Sequence, residues 1–275
     1  MHVPDHVIGS GTELLAGVSA AAVIASVVLE TRGRPEVTGA TLLRAPERIS
    51  AQACTAALVF ALQMVNVPVL AGTSGHLLGG ALATALVGPR RALLAVSSVV
   101  VAQALLFADG GVGALGVNLW LIAILPVAVA TLAQHLLGVR SAHGTRWWAS
   151  IGLGAAAAPV VSAGAFAALF ALGGVGTVAA PSSVAVAMIR THAAVAVAEV
   201  AITLGTVGLI AWAQARRAST DTVPVWGIAA CAAVGLSLVA SSAPDGLARV
   251  LGDLDLAVAG PGSILSGSPL AGYAV

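Results

Sequence analysis

The sequence predicts an all-α integral membrane protein, a bundle of about seven to eight transmembrane helices with both chain ends on the extracytoplasmic side. Of its 275 residues, 59% are hydrophobic and only 8% are charged, and the mean hydropathy is +1.01. Soluble domains carry about 25% charged residues, so this composition excludes one. Apolar stretches near the length of about 20 residues that a membrane helix requires recur along the chain. Most arginines occupy every second loop between these stretches.

Eight apolar stretches are predicted as membrane spans. They are residues 13–30, 49–68, 75–88, 92–108, 114–134, 149–174, 184–213 and 225–242. The third is short for a membrane helix. It is either a tilted or partly re-entrant helix, or it merges with the neighbouring turn. Eight spans are therefore expected, with seven as the alternative.

The arginines predict the orientation of the bundle. They occupy the loops after the first, third, fifth and seventh spans, whereas the loops near 69–74, 109–113 and 175–183 contain none. Short arginine-rich loops face the cytoplasm. The pattern therefore places both ends of the chain and the loop that contains His76 outside. We expect a multi-pass protein of a bacterial inner or plasma membrane.

The chain opens with "MHVPDH", which does not read as a secretory signal peptide. No basic region precedes the first apolar stretch, and that stretch is interrupted by Asp5, His6 and Glu13. We therefore expect Met1 and His2 to remain in the mature protein.

The first two residues carry a set of nitrogens suited to a metal ion. The Met1 amine, the His2 amide and the His2 imidazole can close two adjacent chelate rings, and His76 on the same membrane face can complete a four-nitrogen plane. Such sites suit Ni(II) or Cu(II), and imidazole also suits Co(II) and Zn(II), whereas Mg²⁺ and Ca²⁺ prefer oxygen. Asp5 is a candidate acceptor for an imidazole N–H. From the residues alone, a frayed terminus and a His76 bonded to a neighbouring carbonyl stay open as alternatives.

Four segments carry a resemblance to a known family. They are "MHVPD" (1–5), "QMVNVPVLAGTSGHLLGGALATALVGP" (63–89), "QALLFADGGVGALGVN" (103–118) and "MIRTHAAVAVAEVAITL" (188–204). Over about residues 1–215 the chain resembles the CbiM/NikM family, the substrate-binding membrane subunits of energy-coupling factor (ECF) importers for cobalt and nickel.

This resemblance implies a site and a set of partners. In the family the metal is held by nitrogens that correspond to the Met1 amine, the His2 amide and imidazole, and the His76 imidazole. The implied bound species is substrate Co(II) or Ni(II), with no further cofactor, and the implied partners are a transmembrane coupling subunit, two ATPase subunits and membrane lipid. His6 stands where the family usually has glycine. It is an extra ligand, a capture residue or a neutral variant, and a peripheral role is favoured.

The tail resembles a second module. "SSAPDGLARVLGDLDL" (241–256), followed by "SPLAGYAV" (268–275), resembles the PDGLE domain, although Ala248 stands where the motif ends in glutamate. We therefore predict two domains: a metal-binding membrane domain over 1–215, and a PDGLE-like domain over 216–275 with one membrane helix and an extracytoplasmic tail.

Several other polar residues fall within or beside predicted spans. Gln63 and Asn66 either bond across helices or line the pocket beneath the metal. His192 and Glu199 are seven residues apart and share a helix face. They form either a polar pathway near the metal or a buried network that locks helix packing. Asp109 is expected to cap a turn.

The chain lacks the parts of an ATPase. It contains neither lysine nor a GxxxxGK[ST] segment, so for an active importer ATP hydrolysis must come from partners. We predict a protein that is not an enzyme and that captures Co(II) or Ni(II) outside for ATP-driven import, with cobalt for cobalamin biosynthesis slightly favoured. The alternatives are a nickel importer for nickel enzymes, a membrane metalloenzyme and a stand-alone channel or secondary transporter.

Overall fold

A computed structural model describes residues 1–31, 51–175, 179–215, 235 and 237–256. The predicted all-α class is confirmed, with one short hairpin added. The elements are α1 (Ser10–Thr31), α2 (Ala51–Gln63), β1 (Val67–Leu70), β2 (Thr73–Gly75), α3 (Gly80–Val87), α4 (Pro89–Leu106), α5 (Leu115–Asn118), a π-helical segment (Leu119–Ile124), α6 (Leu125–Leu136), α7 (Thr145–Gly173), α8 (Pro181–Ala215) and α9 (Gly246–Asp253).

Five helices in the described part of the chain are long and apolar enough to cross a membrane. They are α1, α4, the continuous helix Leu115–Leu136 that joins α5, the π-helical segment and α6, and the long helices α7 and α8. Helix α1 leaves most of its surface outside the bundle, including Leu14, Leu15 and Val18. Such an exposed apolar face is what lipid contact requires, because lipid tails are as apolar as these side chains.

The predicted second span ends earlier than expected. Helix α2 stops at Gln63, and an antiparallel hairpin with Val67 opposite Gly75 follows in its place. Pro68 explains the change, because proline provides no N–H and disfavours helical backbone in the residue before it. Gly72 has a φ of 69°, which the turn requires and which glycine adopts without strain.

The predicted third span is a short buried helix. Helix α3 has 8 residues, all buried, and spans about 12 Å at 1.5 Å per residue. That length is far below the ~30 Å of a bilayer core. Gly79 precedes the helix with a φ of 80°, and Gly88 with Pro89 separates it from α4. The predicted eighth span, 225–242, lies mainly outside the described residues.

The loops without arginine meet at one end of the bundle. Gly111 N–H donates to Val3 O (2.9 Å), Val175 N–H donates to Val7 O (3.0 Å), and the Met1 ammonium reaches His76. The N-terminal segment thus contacts all three loops that the arginine pattern groups together. This confirms the alternation of the helices. That this end faces outside remains a prediction.

Glycines allow the helices near this end to approach closely. A Cβ on Gly116 would lie 2.3 Å from the Cα of Gly17, where α5 crosses α1. A Cβ on Gly80 would lie 2.4 Å from the Cβ of Pro126, where α3 meets α6. Both contacts are too short for any larger residue, so the bundle depends on small residues at these crossings.

Candidate metal centre

Residues 1–8 lie in a fixed path across one end of the bundle. The side chains of Met1, Val3, Val7 and Ile8 are buried, with at most 4% exposure. Val3 is held on both sides of its peptide: its N–H donates to Asn118 Oδ1 (2.7 Å), and Asn118 Nδ2 donates to Val3 O (3.0 Å). Chain termini usually fray unless they are tied down. These contacts tie this terminus down and fix the position of its amine.

His76 directs one ring nitrogen at that amine. Its Nδ1–H donates to Leu77 O (3.0 Å), which leaves the lone pair of Nε2 facing the Met1 ammonium. The ammonium donates to Nε2. A metal-binding histidine typically has its other N–H fixed by a carbonyl or carboxylate. His76 has this arrangement.

The loop after His76 is held by two buried polar side chains from different helices. The Glu199 carboxylate accepts the N–H groups of Leu78 (2.7 Å) and Gly79 (3.0 Å). Gln63 Nε2 donates to Leu78 O (2.8 Å). Glu199 and Gln63 therefore both hold the loop that carries His76 in place.

The His2 ring stacks on the His76 ring, with centroids 5.0 Å apart and an interplanar angle of 24°. His2 Nε2 lies 3.3 Å from Gln103 Oε1, and His2 Nδ1 lies 3.2 Å from Asp109 Oδ1. A neutral imidazole carries one N–H and can satisfy only one of these acceptors. Both contacts are satisfied when Nδ1–H donates to Asp109 and the Gln103 amide is turned, so that its buried, otherwise unpaired Nε2 donates to His2 Nε2.

Both imidazoles are neutral at physiological pH. Burial, and then the positive charge of the amino terminus, lower the pKa of His2 to about 3. The same two causes, in the same order, lower the pKa of His76. Neutral imidazoles present lone pairs, which a metal ion requires from its ligands. Protonation of the rings does not compete with a metal near pH 7.

Asp245 is a residue of this site that the sequence did not reveal. Its Oδ2 accepts a hydrogen bond from the Met1 ammonium at 2.8 Å and lies 3.7 Å from His76 Nε2. Burial alone would favour the neutral acid, but the ammonium and His76 outweigh it and hold the pKa of Asp245 below its usual range. The motif "PDGL" signals this aspartate in the sequence, but nothing in the motif places it 244 residues away, beside Met1.

The other predicted residues have different environments. Asp5 accepts the N–H of Gly113 (2.8 Å) instead of an imidazole N–H, which corrects its predicted role. His6 is exposed and has a φ of 70°, a conformation that glycine adopts most easily. Asn66 accepts the N–H of Ser241 (2.8 Å) through its backbone carbonyl. His192 donates to Met188 O within its own helix (2.9 Å).

No three His, Cys, Asp or Glu side chains form a metal cluster by themselves within the described residues. A site here depends instead on the terminal amine and the first backbone amide, together with two imidazoles. These groups could supply four nitrogens to one ion. The fold and this end of the bundle define an integral membrane protein with a nitrogen-rich candidate metal centre.

The family follows from comparison with known proteins. A family model described as the cobalt uptake substrate-specific transmembrane region, CbiM, matches residues 2–218. The chain therefore belongs to the CbiM family of cobalt and nickel transport proteins. A relative from Archaeoglobus fulgidus named as a fused nickel transport protein, NikMN, is 38% identical over 129 residues, which are 47% of this chain and 40% of that protein.

Two further comparisons agree with this family. The cobalt transport protein CbiM of Thermosediminibacter oceani is 37% identical over 106 residues, 38% of this chain and 42% of the relative. The solved structure of a transition metal transporter matches 78% of this chain and 93% of its own with a TM-score of 0.57 at 24% identity, which shows a shared fold. The chain spans about half the length of the curated relatives it matches. These relatives are named as transport proteins and not as enzymes.

Proposed function

We propose that this chain is the substrate-binding component of an energy-coupling factor importer and that it captures Co(II) or Ni(II) through the Met1 amine, the His2 amide and imidazole, and His76. The observation that carries the proposal is the contact of the buried Met1 amine with His76 Nε2, next to the His2 ring that stacks on His76. The metal enters from outside and is released inward.

Capture exchanges protons for metal. The Met1 ammonium loses one proton and the His2 amide loses another, so two protons leave for each ion bound. His2 binds through Nδ1, and its single N–H then moves to Nε2, where Gln103 Oε1 is placed to accept it. The Gln103 amide thus fits His2 both with and without metal. Because protons are released, metal affinity falls at acidic pH.

The proposed partners are a transmembrane coupling subunit and two ATPase subunits. This chain contains no lysine and no phosphate-binding loop, so it requires an external source of energy for uptake against a gradient. We propose cobalt as the metal, for cobalamin biosynthesis. Nickel for nickel enzymes is the second candidate, favoured by the relative named as a nickel transport protein and by the preference of Ni(II) for four planar nitrogens.

Metal binding by the purified protein tests the proposal. The variants are His76→Ala and an insertion of one proline between Met1 and His2, which retains every side chain and moves the amine away from the His2 amide without adding an N–H that could take its place. His135→Ala is the matched control, because His135 is exposed in the last turn of helix α6. We expect calorimetry to show Co(II) and Ni(II) binding in the wild type and control, and none in the two site variants. An insertion variant that binds as well as the wild type would refute the terminal chelate.

The absence of lysine provides a second, direct measurement. The sequence contains no lysine, so no side chain competes with the Met1 amine for an amine-reactive ester. Bound Co(II) or Ni(II) is expected to slow labelling in the wild type and to have no effect in His76→Ala. Mass spectrometry of the N-terminal peptide measures the rate and shows that Met1 is retained. Equal rates with and without metal in the wild type would contradict a coordinated amine.

A separate experiment tests the partners. Uptake of radioactive cobalt or nickel is measured in cells that express this chain alone, or together with the coupling subunit and the two ATPase subunits. Uptake against a gradient is expected only with the partners. Strong uptake by the chain alone would favour a channel or secondary transporter. Turnover of a substrate without metal uptake would favour an enzyme.

A further inference from the structure

The C-terminal segment 241–256 covers the candidate metal centre. Ser74 N–H donates to Pro244 O (2.9 Å), and Ser74 Oγ donates to Ala243 O (2.7 Å), so the segment runs along strand β2 directly before His76. Apolar side chains of α9 hold the segment in place, since Leu247 and Val250 are buried. The segment therefore has a defined position over the site, set by backbone bonds and burial.

This position presents the Asp245 carboxylate to the site. Asp245 caps helix α9: its Oδ1 accepts the N–H of Ala248 at 2.7 Å. Its Oδ2 is left to face the Met1 ammonium at 2.8 Å and His76 Nε2 at 3.7 Å. The helix cap fixes one oxygen and thereby aims the other. Gly246, next in the chain, allows the segment to approach α8 closely, because a Cβ there would lie 2.9 Å from Thr191 Cγ2 and 3.3 Å from His192 Cε1.

We propose that Asp245 is a binding residue for the captured metal ion, supplied by the C-terminal segment as a carboxylate oxygen ligand beside the four nitrogens. This rests on the proposed function and adds a second part of the chain to its site. Two ligands about 2.1 Å from one ion, at angles of 90–125°, are about 3.0–3.7 Å apart. The 3.7 Å from Asp245 Oδ2 to His76 Nε2 lies within this range, and the 2.8 Å to the Met1 amine, which is a hydrogen bond in the metal-free site, is slightly shorter.

The charges support the same role. Without metal, the Met1 ammonium carries +1 and Asp245 carries −1, so the buried pair is neutral. With metal, the divalent ion and the deprotonated His2 amide together carry +1, and Asp245 brings the sum over these groups to zero again, apart from the Asp109 carboxylate beside His2, which is present in both states. A buried charge without a partner is costly. Asp245 supplies the balancing charge in both states, which a neutral residue cannot do.

Asp245→Asn tests this inference with little change in shape. Asparagine is as good a helix N-cap as aspartate, so α9 keeps its cap while the charge is lost. Asp245→Ser is made as well, because serine is also a good N-cap. The scored variant is the one whose metal-free melting temperature stays within 3 °C of wild type. Asp253→Asn is the matched control, because Asp253 lies on the same helix and pairs with Arg249 at the surface (2.9 Å).

The measurement is the Kd for Co(II) by calorimetry on the full chain. We expect the scored Asp245 variant to bind about 10- to 100-fold more weakly, the loss typical of residues that support a metal site, while Asp253→Asn remains unchanged. A loss below tenfold, or an equal loss in the control, overturns the inference. If the wild type itself binds no metal, the proposed function fails, which distinguishes the two conclusions.

Discussion

Asn118 offers a sharp test of how the N-terminal segment is held. Its side chain is 1% exposed and makes two hydrogen bonds to Val3, one in each direction. Asn118→Ala removes both. Each is worth about 0.5–1.5 kcal/mol net, so the segment loses about 1–3 kcal/mol of docking free energy. Because the metal binds only the docked segment, its affinity falls by at most about 5- to 150-fold, the full loss appearing once the undocked form dominates.

Two assays measure this effect. Calorimetry gives the Kd for Co(II) or Ni(II), and the amine-labelling rate gives the fraction of undocked segment without metal. Gln134→Ala is the control, because Gln134 lies 16 residues further along the same continuous helix, about 24 Å away. We expect faster labelling and weaker binding for Asn118→Ala alone. Unchanged labelling together with an unchanged Kd would show that the Val3 contacts do not position the chelate.

Three further outcomes follow from the structure. Gly116→Val forces a side chain into helix α1 and should prevent stable folding, whereas Gly205→Val, with open space around it, should leave the detergent melting temperature nearly unchanged. Glu199→Gln weakens the hold on the loop that carries His76 by about 1–3 kcal/mol and should raise the Kd for metal in calorimetry. The pKa of His2 falls to about 3 when the ring is buried. The undocked His2 ring binds a proton below pH ~6.5. Between that pH and about pH 3, acidification should therefore weaken the docking of the N-terminal segment by up to about 1.4 kcal/mol per pH unit. Hydrogen exchange of the N-terminal amides measures this change.

The sequence predicts the membrane fold well, because both signals that define it are local. Apolar length locates α4, α7 and α8 to within a few residues, and the arginine-free loops do meet at one end. The hairpin at 67–75 was missed because an apolar run alone cannot distinguish a strand from the end of a helix. Only Pro68 and the neighbouring glycines signal the break.

The candidate site could be predicted only in part. Met1, His2 and His76 were identified by their chemistry and their common membrane face, and the structure brings the three together. Asp245 was missed because its partner is 244 residues away, and no periodicity reports a contact of that kind. Asp5 was assigned to an imidazole, but two backbone N–H groups lie closer to it. Charged side chains take the nearest strong donors, which depend on loop geometry that a sequence pattern does not contain.

The way in which the N-terminal segment is held bears on how the metal could leave. Release by withdrawal of the segment would expose Val3, Val7 and Ile8, which are buried almost completely. Burying a side chain of this size contributes about 1.5–3 kcal/mol, so withdrawal gives up about 5–9 kcal/mol of burial, which the conformational entropy regained by the freed backbone partly offsets. The docked form is therefore favoured at equilibrium by less than this sum. A segment that stays mostly docked is unsuited to a free channel. It is what an importer requires if opening occurs only when partners supply the energy.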